Sequence, residues 1–219
     1  MLRQTKVAGL SAVGFATMIV LANLLLFPAG PPLPGADAGT ATEFFTSEAG
    51  IVGLTSALTP LAWVLAIVFG AGAVTALRGD AWALAGFAGL ILQNTTFAGI
   101  IATRLALTED DTAGAAGLWA LNEALFTLNG TFLALAMTGL SISGLLGGLI
   151  RRWHAGLGFA GAALQFTSAT LAPLVIEHGG VLGLVGLVGW LLWVGWLVVY
   201  GVALVRHEPS AVSAGAVDG

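Results

Sequence analysis

Long apolar runs alternate with short polar interruptions from one end of the chain to the other. A helix that crosses a bilayer needs roughly 20 mostly apolar residues, and runs of this length recur along the sequence. The interruptions hold the prolines, glycines and charged residues that end such helices. The pattern predicts six transmembrane spans, at about residues 7–27, 50–77, 81–103, 121–150, 153–176 and 181–205.

Local signals refine the segments between and within these spans. Residues 28–39 (PAGPPLPGADAG) predict an extended loop, because proline lacks the N–H donor and clashes with the preceding helical turn. Residues 40–43 (TATE) predict a capping box that opens a helix. Pro60 predicts a kink in the second span and Gly130 a bend in the fourth, which follows a lead-in that ends near residue 120. Residues 207–219 are small and polar, and predict a disordered cytoplasmic tail.

Composition supports a membrane protein and excludes several other classes. The 219 residues are 58% hydrophobic and only 8% charged, whereas soluble domains carry about 25% charged residues. We therefore predict an all-α polytopic membrane protein in which residues 1–206 form one six-helix domain. The seven lysines and arginines are too few and too scattered for a nucleic-acid surface. The absence of cysteine excludes disulfides, thiolate metal sites and cysteine nucleophiles.

The basic residues predict how the chain is oriented. With the N-terminus inside, six of the seven lysines and arginines lie on the cytoplasmic side, and only Arg104 lies outside. This bias follows the positive-inside rule and places both termini in the cytoplasm of a bacterial cell, with the spans in its inner membrane. The N-terminal segment also resembles a signal peptide. Its apolar run of about 21 residues exceeds a secretory h-region, so an uncleaved first span is favoured over a cleaved leader.

Small residues predict which helices pack together. Lipid tails are as apolar as leucine, so helices in membranes associate through close contact and hydrogen bonds. The third, fourth and fifth spans each carry a stripe of small and polar residues, and we expect these faces to meet as the tightly packed centre. The sixth span has only Tyr200 as a polar side chain at depth, which predicts a lipid-facing position at the periphery. Its tryptophans at 190, 193 and 196 predict a packing or lipid-facing stripe.

Glu123 is the carboxylate closest to membrane depth and the leading candidate for a functional residue, since ionisable groups at depth are costly and often functional. Arg104 is expected at a similar level. An ion pair between Arg104 and Glu123 would tie the third span to the fourth, with proton or substrate handling as the alternative. A polar ligand site or packing site is predicted from these two residues together with the amides Asn122, Asn129, Gln93, Asn94 and Gln165.

No catalytic, metal or cofactor site is predicted. Residues 156–161 (GLGFAG) match the dinucleotide fingerprint, but that motif needs a preceding strand and an exposed helix N-terminus. Here the glycines are expected to serve packing. Ser141 and Ser143 are expected to lack a histidine or aspartate in the same leaflet, and nucleophilic catalysis needs an adjacent base. His154 and His178 fall on opposite sides of the membrane, so they cannot share a metal.

Several stretches carry a family resemblance. They are KVAGLSAVGFAT at 6–17, PLPGADAGTATEF at 32–44, GLSISGLLGGLIRR at 139–152 and GLGFAG at 156–161. Over most of its length the chain resembles a family of small bacterial six-span integral membrane proteins of unknown function. The resemblance implies a compact six-helix membrane domain, and it implies no activity, cofactor or catalytic residue.

These observations predict a non-enzymatic integral membrane protein that binds membrane lipids or a partner, as an accessory subunit. The partner would be a second copy of the chain or another membrane protein. The alternative is a small secondary transporter or permease with a polar path through the third to fifth spans, since two groups of three spans could form an inverted repeat. A lipid-modifying enzyme would need a catalytic base that the sequence does not offer.

Overall fold

The computed structural model describes residues 2–109, 114–178 and 180–207, and within these ranges the chain contains helices and no strand. The helices are α1 (Leu2–Leu26), α2 (Ala38–Ser47), α3 (Ala49–Ala57), α4 (Thr59–Ala76), α5 (Ala81–Ala106), α6 (Ala115–Leu146), α7 (Arg152–Thr170), α8 (Ala172–His178) and α9 (Gly180–Arg206). A 3₁₀ turn, Phe27–Ala29, follows α1. The predicted all-α class is confirmed for the described residues.

Six helices form a closed ring. In the order α1, α4, α5, α6, α7 and α9, each helix packs against its two neighbours, and α9 returns to α1. Helices α2 and α3 lie at one end, where α2 contacts α6 and α3 contacts α1 and α5. The interior of the ring is filled by large side chains, among them Phe15, Phe69, Leu90, Met137, Leu140, Trp196 and Tyr200. The core is therefore a packed layer of residues from all six helices.

Five segments are long and apolar enough to cross a membrane: Arg3–Ala29, Ala49–Ala76, Ala81–Ala106, Ala115–Leu146 and Leu182–Arg206. They correspond to the first, second, third, fourth and sixth predicted spans. The predicted fifth span is divided at Leu171 into α7 and α8. Its many glycines and alanines, with Arg152, His154 and Gln165, make it less apolar than the other five.

Several boundaries differ from the predicted ones. Helix α2 begins at Ala38, because the Asp37 carboxylate caps it and accepts a hydrogen bond of 2.9 Å from the Thr40 backbone N–H. The predicted capping box at residues 40–43 is therefore wrong by about one turn. The second span breaks at Leu58, and Pro60 lies at the start of α4, where a missing N–H costs little. The kink predicted there is a helix boundary.

The fourth span is one continuous helix, α6, with Gly130 in its interior. The predicted lead-in before residue 121 belongs to the same helix as the span, since α6 runs from Ala115 without interruption. Gly130 permits a close helix–helix contact: a Cβ atom there would lie 2.6 Å from the backbone oxygen of Gln165 on α7. The glycine is needed for packing.

The predicted contacts of the central spans are found on both sides of α6. Gly86 and Gly89 of α5 lie against Leu140 and Ala136. On the other side of α6, Gly158 of α7 lies against the Ser141 side chain. The glycines of the dinucleotide-like stretch thus include a packing residue inside a helix, as predicted. The core, however, belongs to the whole ring and not to these three helices alone.

The peripheral position predicted for the sixth span holds for one face of α9, which exposes leucines and valines, while the opposite face enters the ring interior. Helix α9 packs between α7 and α1, and it buries Trp193, Trp196, Leu197, Tyr200 and Leu204 in the ring interior. Of the two roles predicted for the tryptophan stripe, packing is the one observed. In this protein the number of polar side chains on a helix does not indicate how much of the helix faces the ring interior, because the interior is filled mainly by aromatic and aliphatic groups.

Candidate functional site

Glu123 holds a loop at the end of the bundle covered by α2 and α3. Its side chain is 7% exposed, and its Oε1 accepts a hydrogen bond of 2.6 Å from the Gly35 backbone N–H. One turn earlier on α6, Trp119 Nε1 donates to the Ala36 carbonyl oxygen at 2.9 Å. These two contacts fix the loop before α2 to α6. The carboxylate therefore has a structural partner in the backbone.

The predicted ion pair between Arg104 and Glu123 is not observed. The Arg104 guanidinium lies over the Phe126 ring, 5.8 Å from its centroid, and its buried Nε has no hydrogen-bond partner. Helical side chains lean toward the N-terminus of their own helix. Because α5 and α6 are antiparallel, two residues at one level lean in opposite directions, Arg104 toward the bundle centre and Glu123 toward the loop. The two charges therefore diverge.

Asn122 joins α5 to α6. Its Nδ2 donates to the Ile100 carbonyl oxygen at 3.1 Å and to Thr103 Oγ1 at 2.8 Å. The side chain is buried, so these hydrogen bonds satisfy an amide nitrogen that would otherwise be costly to remove from water. Asn122 is a helix-packing residue, one of the two roles predicted for it.

Gln93, Asn94 and Asn129 form what we call the amide layer. All three side chains are buried, and four of their polar atoms have no hydrogen-bond partner: Gln93 Oε1, both Asn94 amide atoms and Asn129 Oδ1. The contacts of Gly89 with Ala136 and of Ile100 with Asn122 set the antiparallel register of α5 and α6. That register brings residues 93 and 94 to the level of Asn129.

Gln165 lies beside the amide layer and is engaged by α9. Its Nε2 donates to the Gly186 carbonyl oxygen at 3.1 Å. A Cβ atom on Gly130, the residue after Asn129, would lie 2.9 Å from Gln165 Oε1. The side chain thus spans from α6 to α9. Gln165 extends the polar level around the ring but is itself partly satisfied.

A second polar cluster, which the sequence analysis missed, lies at the opposite end of the bundle. Ser143 Oγ donates to the Asp80 carboxylate, and Trp196 Nε1 donates to Ser141 Oγ at 3.0 Å. His154 Nε2 lies 3.0 Å from the Trp196 carbonyl oxygen. The expectation that no histidine or aspartate shares this end with the two serines is wrong. Asp80 and His154 are distant in sequence, and the packing of α5 and α7 against α6 brings them here.

This cluster links α5, α6, α7 and α9 through hydrogen bonds. The pKa of the Asp80 carboxyl is lowered because the Ser143 hydroxyl donates to it, assisted by the Ala83 backbone N–H. His154 contacts a backbone carbonyl, so neither serine has an imidazole as its base. Among the described residues no group of three or more His, Cys, Asp or Glu side chains is placed to hold a metal ion. The signal available in the sequence was Asp80, the N-cap of α5.

Comparisons with known proteins identify no relative: no family model, no curated protein and no solved structure matches this chain.

Proposed function

We propose that this chain is a non-catalytic integral protein of the bacterial inner membrane that binds a membrane-soluble ligand at the amide layer, as a lipid-binding or partner-binding accessory protein. The observation that carries this proposal is the set of buried amide atoms without partners on Gln93, Asn94 and Asn129. Six spans and two cytoplasmic termini complete the proposal.

The contacts of α7 support a sixth span. Its 19 residues would extend about 28 Å at 1.5 Å per residue, close to the thickness of a bilayer core. It runs beside α6 and α9, from His154 against Trp196 to Gln165 against Gly186. The antiparallel ring places the ends that carry six of the seven basic residues together. This agreement supports the cytoplasmic placement of both termini.

The energetics of the amide layer favour a ligand. Hydrocarbon offers no hydrogen bonds, so an unpaired buried amide costs about 1–3 kcal/mol. Replacing Asn94 with leucine would remove that cost if the residue served packing alone. A bound molecule with both donors and acceptors would offset the cost, because the amide layer presents both. The three side chains are neutral, which favours an uncharged polar group.

A small transporter or permease is the second candidate, because the amide layer lies on the polar path predicted through the third to fifth spans. In this conformation the ring interior toward the proposed cytoplasmic end is filled by Phe69, Trp196 and Tyr200. Transport would require these aromatic side chains to move apart. The same amides would then line an alternating-access site.

Ligand binding is tested by native mass spectrometry of gently purified protein. Wild type should carry an adduct of defined mass, and Asn94→Leu and Asn129→Leu should lose it. The matched control is Thr95→Val: Thr95 is the exposed neighbour of Asn94, and its hydroxyl bonds only to Ile91 of its own helix, at 2.9 Å. Thr95→Val should keep the adduct.

The opposite result would be a wild type without adduct together with a higher unfolding free energy for Asn94→Leu, by about 1–3 kcal/mol. That outcome would assign the amides a structural cost and no ligand. Transport is tested separately, with single cysteines at 93, 129 and 165 and a water-soluble thiol reagent. Protection of all three positions from both sides would rule out the transporter.

A further inference from the structure

Among the described residues, no carboxylate serves as a counter-ion for the half-buried Arg104 side chain. Among the described residues its guanidinium contacts the Phe126 ring, and its Nε has no hydrogen-bond partner. Two carboxylates at this end of the bundle are engaged elsewhere: Glu123 accepts from Gly35, and Asp37 accepts from Thr40. Within the described part of the chain, the cation is therefore available to an external anion.

The level of Arg104 matches a headgroup boundary. Ser143, which binds Asp80 at the end of α5, marks the other boundary. Glu123 precedes Ser143 by twenty residues on α6. The helical rise between the two residues is about 30 Å, which is the thickness of a hydrocarbon core. Phe126 lies three residues inside that level, about 4–5 Å deeper. The guanidinium thus lies at the edge of the hydrocarbon, where lipid phosphates are within reach of a long side chain.

The surface around Arg104 is suited to lipid and not to a free anion. Phe126 is 45% exposed, and Leu105, Leu121 and Leu128 are also exposed on α5 and α6. A free phosphate would have to lose water beside this apolar surface. A phospholipid brings its phosphate to the same level while its acyl chains cover the leucines and the phenylalanine.

A helix-end role alone does not account for the geometry. A basic residue in the last turn of α5 does interact favourably with the helix dipole. Any cation near the terminal carbonyls would interact with the dipole in this way. The Arg104 side chain instead turns back along α5 to lie over the ring of Phe126 on the neighbouring helix, and Phe126 is itself 45% exposed.

We propose that Arg104, held over the Phe126 ring, binds the phosphate of an anionic phospholipid in the outer leaflet. The leaflet rests on the membrane placement proposed above. The planar guanidinium can donate two parallel hydrogen bonds to a phosphodiester, and it stacks on an aromatic ring at the same time. The negative charge of the lipid supplies the counter-ion that the described residues do not provide.

The test is a titration of delipidated protein in neutral detergent, followed by native mass spectrometry, with phosphatidylglycerol, phosphatidylcholine and inorganic phosphate. The most tightly bound phosphatidylglycerol molecule should have at least a roughly tenfold higher affinity for wild type than for Arg104→Gln. Arg104→Lys should show an intermediate loss, because lysine keeps the charge but not the planar pair of donors. Leu184→Gln, a change at an exposed position on α9 across the ring from Arg104, should bind as wild type does.

Three results would overturn the proposal. They are equal binding by wild type and Arg104→Gln, equal affinity for phosphatidylcholine and phosphatidylglycerol, and competition by inorganic phosphate at concentrations equal to the lipid. A thermal melt of Arg104→Gln and Arg104→Lys confirms that each variant is folded before titration. Asn94→Leu should keep phosphatidylglycerol even if it loses its own adduct, so this site and the amide layer can fail independently.

Discussion

At the level of single side chains, the same chemical group has different roles according to the partner within reach. Asn122 and Asn129 are seven residues apart on α6, and both are buried. Asn122 meets the Ile100 carbonyl and the Thr103 hydroxyl, whereas Asn129 Oδ1 meets no partner. The difference comes from α5: its carbonyl and hydroxyl at the first level hydrogen-bond to Asn122, whereas its amides at the second level make no hydrogen bond to Asn129 Oδ1. Asn122 is thus a packing residue, and Asn129 belongs to the proposed ligand site.

The Asp80–Ser143 hydrogen bond predicts a specific dependence of stability on pH. The pKa of Asp80 is lowered in the folded protein, chiefly by the Ser143 hydroxyl. The stabilisation is therefore present above the ordinary aspartate pKa of about 3.9, and it is lost as the pH falls through the lower, folded value. Ser143→Ala should lower stability near neutral pH by about 1 kcal/mol and should reduce the further loss on acidification. Unfolding in detergent at a series of pH values measures both effects.

Ser141→Ala is the matched control for this prediction. It removes the acceptor of the Trp196 indole N–H and leaves Asp80 untouched. It should lower stability at every pH and keep the acid dependence of wild type. If Ser143→Ala also keeps that acid dependence, the Asp80–Ser143 bond does not control the titration.

Among the helices, α5 and α6 approach each other backbone to backbone. A Cβ atom on Gly139 would lie 2.5 Å from the Gly86 backbone nitrogen and 2.6 Å from the Trp82 backbone oxygen. Two backbones in such contact cannot yield as a flexible side chain can. The helices reach this distance because glycine alternates with small residues along both faces, and close van der Waals contact holds helices together in lipid.

Gly139→Ala should therefore destabilise the protein by about 1–3 kcal/mol or more, since added volume forces the α5 and α6 backbones apart. Gly195→Ala is the control, because no atom lies within 4 Å of the position where its Cβ would be. It should be neutral, or stabilising by up to about 1 kcal/mol through helix propensity. Thermal unfolding in one detergent compares the two. Equal melting temperatures would contradict the assigned interface.

For the molecule as a whole, the proposed crossing of the membrane by α7 can be tested by cysteine labelling. The chain has no cysteine, so single cysteines can be introduced at the exposed positions Leu33, Leu146 and Leu174. With six spans, a membrane-impermeant maleimide should label Leu33→Cys and Leu174→Cys from outside intact cells. Leu146→Cys should be labelled only after the cells are opened, because it lies at the proposed cytoplasmic end of α6.

Labelling of Leu174→Cys only in opened cells would mean that α7 does not cross, and that five spans are present. Labelling of Leu146→Cys alone in intact cells would invert the proposed orientation. Each outcome also bears on Arg104, because the leaflet that it faces follows from the side on which the loop before α2 lies.

The helical class and the apolar segments could be predicted from the sequence, because they depend on hydropathy and length. At Pro60 the predicted kink is a helix boundary, and the division of the fifth span at Leu171 was not predicted. The packing of the glycine faces on α5, α6 and α7 was also predictable, because the spacing of the small residues can be read from the sequence of each helix. The candidate site was predicted only as a set of residues. Which members have partners could not be predicted, because those partners lie on other helices.

Tertiary structure alone decided three features. Glu123 binds Gly35 instead of Arg104, because antiparallel helices lean their side chains in opposite directions. Helix α9 enters the core because the ring closes between α7 and α1. Asp80 meets Ser143 because the antiparallel register of α5 and α6 aligns the turn before α5 with the end of α6, 63 residues away. Local sequence specifies each helix, while contacts between distant segments depend on register and side-chain direction, which exist only once the helices have packed.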